Sequence, residues 1–287
     1  MNQIIIVTII TLVGIGTAAA VILYFVAQRF KVYEDPRIDE VEEALPGANC
    51  GGCGYAGCRA FAEALVKNES WDDLYCPVGG NENMAKVAEL LGKEAVEQAP
   101  QVAVVRCYGT PEFRARTNEY DGAPTCAIAH QLYAGEGGCP HGCLGLGDCV
   151  VACDFDAIHM NPATGLPEVV DDKCTACGAC VEACPRDIIE LRKKNKKDRK
   201  IFVCCINEEK GAVAIKNCKV ACIGCSKCYD VCPYDAITMN NNLAYIDPVK
   251  CKLCRKCVVV CPTNAIHEIN FPPRKTEKTE AVEEENK

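Results

Sequence analysis

Between Cys222 and Cys261 the chain reads CIGCSKCYDVCP, then seventeen residues ending in Lys250, then CKLCRKCVVVCP. The spacing C-x2-C-x2-C-x3-C-P thus occurs twice, and its chemistry is iron–sulfur ligation. Three closely spaced thiolates on a tight loop wrap one face of a [4Fe–4S] cubane, and the fourth cysteine of each run ligates the other run's cluster. On that rule Cys222, Cys225, Cys228 and Cys261 hold one cluster, and Cys251, Cys254, Cys257 and Cys232 hold another. Pro233 and Pro262 fix φ after the fourth cysteines and turn the chain away. Zinc also accepts four thiolates, but its usual signature is two C-x2-C pairs rather than triplets. Disulfides are disfavoured by 25 cysteines, an odd number, and by the reducing compartment inferred below.

A related pair of runs begins at Cys139: CPHGCLGLGDCVVACDFDAI, then DDKCTACGACVEACPRDII. Aligned with CKVACIGCSKCYDVCPYDAI, Cys139 matches Cys218, Cys143 matches Cys222, Cys149 matches Cys228 and Cys153 matches Cys232. Leu146 stands where Cys225 is, so a middle ligand is missing, and Cys139, four positions before Cys143, is the expected replacement. The expected sets are Cys139, Cys143, Cys149 and Cys184 for one cluster, and Cys174, Cys177, Cys180 and Cys153 for the other. Asp154 replaces the proline after Cys153 and predicts a looser turn. Four half-units end alike, as CDFDAI, CPRDII, CPYDAI and CPTNAI, each leading into a short strand such as 157–160 or 236–239. This internal repeat predicts two pseudo-symmetric α+β ferredoxin units.

Upstream, Cys50, Cys53 and Cys58 are spaced C-x2-C-x4-C, and Cys76-Pro77 follows after seventeen residues. Glycines at 51, 52, 54 and 57 let the backbone fold closely around a cluster and offer N–H groups to its sulfurs. These four cysteines form a separate single-cluster module, with a helix over RAFAEALVK. Five clusters use 20 cysteines and leave Cys107, Cys126, Cys204, Cys205 and Cys218. A sixth cluster from Cys107, Cys126, Cys205 (or Cys204) and Cys218 is one reading; buried reduced thiols acting as small apolar residues is the other. VAVVRC reads as a strand ending at Cys107, and Cys126 opens a helix on which His130 serves packing rather than ligation.

The elements that position these residues begin with a membrane anchor. Ile4 to Ala27 carries no charge over 24 residues, more than the roughly 20 needed to cross a bilayer; it lacks the basic n-region and short apolar core of a signal peptide. Arg29 and Lys31 follow the span, so the positive-inside rule puts the rest of the chain in the cytoplasm, where thiols stay reduced. The expected organisation is 1–28 transmembrane anchor, 29–93 single-cluster module, 94–138 connecting segment, 139–191 first ferredoxin unit, 192–217 inter-unit segment, 218–270 second ferredoxin unit and 271–287 charged, disordered tail. The stretch from Tyr33 to Leu45 is an acidic surface helix with Ile38, Val41 and Leu45 on one side. The basic run from Arg192 to Lys200 reads as a solvated loop, or as a docking patch for an acidic partner. A net charge of −8 argues against nucleic acid. GEGGCPHG and GLGD do not form a dinucleotide fingerprint, so no NAD or flavin site is expected, nor any catalytic residue, and a span without an internal ionisable group is no ion path.

The uncharged N-terminal span, PGANCGGCGYAGC…CP, and CLGLGDCVVAC with its later runs together resemble the B subunit of the Rnf complex, the ion-translocating ferredoxin:NAD oxidoreductase. The resemblance covers nearly all 287 residues, with one more ferredoxin unit than the family's shorter form. It implies a membrane translocase that passes electrons from reduced ferredoxin toward NAD and exports Na+ or H+. This chain would carry electron transfer only, with lipid bilayer, reduced ferredoxin and the other Rnf membrane and flavin/NAD subunits as partners. Two other classes fit the residues less well: a redox enzyme with its own substrate site at the irregular cluster, and a membrane-tethered regulatory electron donor.

Overall fold

The structure, a computed structural model, describes residues 2–29, 35–95, 97–132 and 135–274. Lys31, Tyr33 and the tail beyond Arg274, on which expectations above rest in part, lie outside those residues. The uncharged N-terminal stretch forms α1 (Asn2–Arg29), a helix of 28 residues and so about 42 Å long at 1.5 Å per residue. Its segment Ile5–Arg29 has mean hydropathy 2.5 and is not buried within the chain. It is long and apolar enough to cross a bilayer.

The module after α1 is built on α2 (Arg37–Ala44), α3 (Cys58–Lys67) and α4 (Gly80–Leu91). Ile38, Val41 and Leu45 lie on one side of the acidic α2 region and are all buried against Phe61, Leu65, Met84 and Val87. Each such side chain contributes about 1.5–3 kcal/mol on burial. Trp71 closes the core and donates its indole N–H to the Leu65 carbonyl at 3.1 Å. At the surface Arg59 bonds both Asp39 and Glu42, fastening α3 to α2. The N-terminus of α3 is held by Asn49, whose Oδ1 accepts the Cys58 N–H at 2.8 Å.

Two units of one plan come next. The first comprises β1 (Gln101–Val105), α5 (Cys126–Leu132), α6 (Asp148–Val151), β2 (Ile158–Asn161), β3 (Leu166–Val169), α7 (Ala179–Glu182) and β4 (Ile189–Lys193). The second comprises β5 (Lys200–Val203), α8 (Gly211–Asn217), α9 (Lys227–Asp230), β6 (Ile237–Asn240), β7 (Leu243–Ile246), α10 (Lys256–Val260) and β8 (Ile266–Ile269). In each, a hairpin (β2 with β3, β6 with β7) faces an antiparallel pair of first and last strands, with Gln101 opposite Lys193 in one and Lys200 opposite Ile269 in the other. The outer strands β1 and β5 thus come from the segments 94–138 and 192–217, which the sequence reading placed between units. They are needed there because β4 and β8 would otherwise present unpaired backbone groups. The four alike endings have a backbone cause. Asp156, Asp187, Asp235 and Asn264, each three residues after a cysteine, adopt φ of +50°, +51°, +48° and +55°, the left-handed region that Asp and Asn enter most readily among residues with a side chain.

The basic run is a solvated loop only in its middle. Arg192 ends up 3% exposed and Lys200 6% exposed, because both are strand residues. Arg192 pairs with Glu190 at 3.2 Å and lies over the rings of Phe202 and Tyr245. Lys200, in the second unit, reaches both carboxylate oxygens of Asp171, in the first, at 2.6 and 2.7 Å. That buried pair, and the apolar contact of Val104 with Phe202 and Cys204, join the units. At the other side of the first unit, Gly52 of the module abuts the Cys177 backbone: a Cβ at Gly52 would lie 2.7 Å from the Cys177 carbonyl oxygen.

Two outcomes are expected from these contacts. Lys200→Met, which strands the Asp171 carboxylate, should lower the stability of the anaerobic full chain by about 3 kcal/mol, and adding Asp171→Leu should recover most of that loss; denaturant titration measures both. Gly52→Ala should separate the module from the first unit, read as faster hydrogen exchange in the loops 50–54 and 174–180 with the module's helices still protected.

Candidate metal centres

The cluster loops share one backbone device. Residues on both sides of the middle cysteine are left-handed: Ala176 and Gly178 flank Cys177, Gly224 and Ser226 flank Cys225, and Leu253 and Arg255 flank Cys254. Two successive reversals wrap the loop around a hollow and leave its N–H groups pointing inward. Gly145 and Gly147 flank Leu146 in the same conformation, so the irregular loop keeps the wrap while lacking its middle thiol.

Four hollows are lined by groups of cysteines. Cys153, Cys174, Cys177 and Cys180 surround one of about 360 Å³. Cys232, Cys251, Cys254 and Cys257 surround one of about 320 Å³. Cys228 is pushed up to about 11 by burial and by the neighbouring thiols of Cys222, Cys225 and Cys261, which marks that group as neighbours. In the module, burial raises Cys76, beside Cys53 and Cys58, and Gly79 donates its N–H to the Cys76 sulfur at 3.3 Å; Cys50 precedes Cys53 on the same loop.

At the irregular loop the structure places a cysteine other than the expected one beside the run. Cys126, not Cys139, lines a hollow of about 400 Å³ with Cys143, Cys149 and Cys184. Cys149 is pushed up to about 11 by burial, with Cys126 and Cys184 the closest acidic neighbours. The cause is Asp148 of the CLGLGDC run, whose carboxylate accepts the N–H groups of Cys126 at 2.8 Å and Ala127 at 3.0 Å. This capping interaction pins the start of α5 over the loop, where Leu146 offers no ligand. Cys139 turns away to a hollow of about 340 Å³ shared with Cys107, Cys205 and Cys218, and bordered also by Cys204. Of the set expected for a sixth centre, Cys107, Cys205 and Cys218 line this hollow, while Cys126 lines the other. His130 accepts a bond from Arg186 at 3.5 Å, in keeping with a packing role.

These donor sets suit cubanes. Backbone N–H groups reach sulfur from Ala103 to Cys174 at 3.5 Å and from Ala157 to Cys153 at 3.4 Å. Thr175 Oγ1, at the rim of the Cys174 loop, is buried with no protein partner, a donor in want of an acceptor such as a cluster sulfur. Thiols spread around a hollow, as in the Cys153, Cys174, Cys177 and Cys180 set, match an inorganic core of several atoms.

Such a protein is an iron–sulfur protein carrying several centres, and comparison with known proteins agrees. Residues 45–77 match an Fe-S cluster family model, and residues 140–191 and 221–265 each match a 4Fe-4S dicluster domain. The chain is 47% identical over 239 residues to the B subunit of the Na(+)-translocating ferredoxin:NAD(+) oxidoreductase complex of Acetobacterium woodii, covering 83% of this chain and 68% of that one. It is 41% identical over 251 residues to the B subunit of the ion-translocating oxidoreductase complex of Methanosarcina acetivorans, covering 88% and 93%. With the B subunit of the proton-translocating ferredoxin:NAD(+) oxidoreductase complex of Clostridium ljungdahlii the identity is 40%, covering 88% and 87%. The chain belongs to this family of B subunits of ion-translocating oxidoreductase complexes.

Beside the 340 Å³ hollow lies a wider cleft lined in part by Cys107, Tyr108 and His267. His267 meets Tyr108 edge to face with ring centroids 4.2 Å apart, and burial lowers its pKa below the usual 6.5. The unfolded chain then binds a proton that the folded chain excludes, so this contribution to stability is full above pH 6.5 and fades as pH falls through the folded value. Thermal unfolding between pH 7.5 and 5.5 should show a slope that His267→Phe flattens.

Proposed function

We propose that this chain is the membrane-anchored iron–sulfur electron-transfer subunit of an ion-translocating ferredoxin:NAD oxidoreductase, receiving electrons from reduced ferredoxin and delivering them to membrane and flavin/NAD subunits. The observation that carries the reading is the succession of cysteine groups packed side by side within each unit. Cys149 and Cys180 pack in one apolar cluster of the first unit, and Cys228 and Cys257 in one of the second. The anchor is α1, and Arg29 in its last turn favours the cytoplasmic side for the remainder of the chain. The single-cluster module occupies 29–93, and two tandem ferredoxin units begin with β1 and β5 and end with β4 and β8.

At least five [4Fe–4S] clusters are assigned: Cys50, Cys53, Cys58 and Cys76; Cys126, Cys143, Cys149 and Cys184; Cys174, Cys177, Cys180 and Cys153; Cys222, Cys225, Cys228 and Cys261; Cys251, Cys254, Cys257 and Cys232. When bound, the clusters supply one-electron transfer at low potential. The chain's own part is to hold them, to aim N–H groups at their sulfurs and to keep water from the buried faces, all of which set potential. Cys225 and Cys254 are exposed, so their loops are where a soluble donor can approach most closely.

The test is ferredoxin-dependent NAD reduction by the purified complex. Cys126→Ala should remove about four irons and bring the rate to background, whereas Cys204→Ala should change neither. An undiminished rate in a Cys126→Ala complex that has lost its iron would overturn the reading.

A further inference from the structure

The 340 Å³ hollow lies outside every matched domain: Cys107, Cys139, Cys205 and Cys218 all fall between or before the ranges 140–191 and 221–265. We propose that these four thiols bind a further [4Fe–4S] cluster at the junction of the two units, two ligands coming from equivalent positions in each. The proposal rests on the reading above only in taking the chain to assemble cubanes.

The equivalence is visible in sequence and in structure. Cys107 comes two residues after the end of β1, and Cys205 two residues after the end of β5. Cys139 and Cys218 each stand four residues before the first cysteine of a run, Cys143 and Cys222. The hydrogen bonds repeat the pattern. Cys143 donates its N–H to the Cys107 sulfur at 3.4 Å, and the backbone of its counterpart Cys222 favours the Cys205 thiolate. Each unit thus clasps its own strand-end thiol with the first ligand residue of its neighbouring loop. Duplication of one unit gives an approximate two-fold site whose halves are incomplete alone.

Asn207 fits the same purpose. It is fully buried, donates its backbone N–H to Cys205 Sγ at 3.4 Å and directs Nδ2 toward Cys139 Sγ at 3.7 Å. Arg114 stands near Cys139 and Cys218, where it favours their thiolates. Cys204 has another occupation: its thiol donates to the Val105 carbonyl at 3.5 Å, the bond of a protonated group, which leaves Cys205 as the second unit's strand-end ligand. Four thiols serving only as small apolar residues would give no reason for N–H groups, a buried amide and a guanidinium to converge on their sulfurs.

Iron and acid-labile sulfide in the anaerobically purified full chain decide the matter. About 24 irons are expected, at four per four-cysteine site. Cys107→Ala and Cys218→Ala should each lose about four irons, and Cys204→Ala should lose none. Asn207→Leu should keep the iron but shift the potential of one cluster, seen as one displaced component in a redox titration followed by electron paramagnetic resonance. A wild-type count of about 20 irons would overturn the proposal while leaving the electron-transfer reading intact, and about 20 irons with one zinc would overturn the cluster in favour of a structural ion. Should an alanine variant lose all its iron by unfolding, the wild-type count and the Asn207→Leu titration still decide.

Discussion

Thiolate sulfur confined away from water is the constraint around which this protein is arranged. Cys143, Cys180, Cys205 and Cys257 are each pushed up to about 12, chiefly by burial and further by neighbouring thiols. Without a cation to share, four such groups could not ionise together, so the folded chain and the metal core depend on each other and assembly must release protons. The units show this in their packing. Among the described residues the first unit's core centres on Ala103, Cys149, Ile158 and Ile189, a small apolar surface to set against the entropy of ordering some ninety residues at about 1–2 kcal/mol each for backbone alone. Ligation supplies what the core lacks.

That dependence explains where side-chain identity is strict and where it is free. The left-handed positions beside the middle cysteine accept Ala, Gly, Ser, Leu and Arg, at a cost in strain for all but glycine, because what the loop needs is its curvature. The position three residues after the closing cysteine is narrower, Asp or Asn in all four copies, since a tight reversal there feeds the next stretch straight into β2, β4, β6 or β8. Arg255 shows how a strained residue is kept in place: its guanidinium is forked on Glu268 at 2.7 Å through two nitrogens and lies over Phe271.

The sequence was informative where the information is local. Ligand runs, the repeat, the anchor helix, the apolar side of α2 and the strand ending near Cys107 are all set by residues within about ten positions of one another. What it could not deliver is long-range pairing. That β1 belongs to the first unit depends on the register of Val102 with Arg192, ninety residues away. That Arg192 and Lys200 are buried depends on Glu190 and on Asp171, and a run of basic residues read alone looks solvated. The Cys126 for Cys139 exchange is the clearest instance. Four-residue spacing made Cys139 the near candidate, while the deciding contact is the Asp148 carboxylate on the start of α5, 21 and 22 residues away. One signal was present in retrospect: Asp148 stands where the regular runs have Ala179, Lys227 and Lys256, and an acidic residue there is what a helix N-terminus attracts.

The exchange also bears on why a duplicated unit should carry an irregular copy at all. In the second unit Cys225 fills the middle position, and Cys218 is left over. In the first, Leu146 takes that position and a thiol from α5 reaches in, which ties a segment of roughly thirty residues between β1 and the first run to the cluster loop. Cys139 is thereby released as well, so both units present a leftover cysteine at the same place. A symmetric pair of leftover thiols facing each other across a junction is a consequence of duplication only if the first unit found its fourth ligand elsewhere. The irregular loop and the junction are then one feature: a run without a middle cysteine, and a thiol from α5 beside it, go with the geometry in which Cys139 and Cys218 line one hollow between the units.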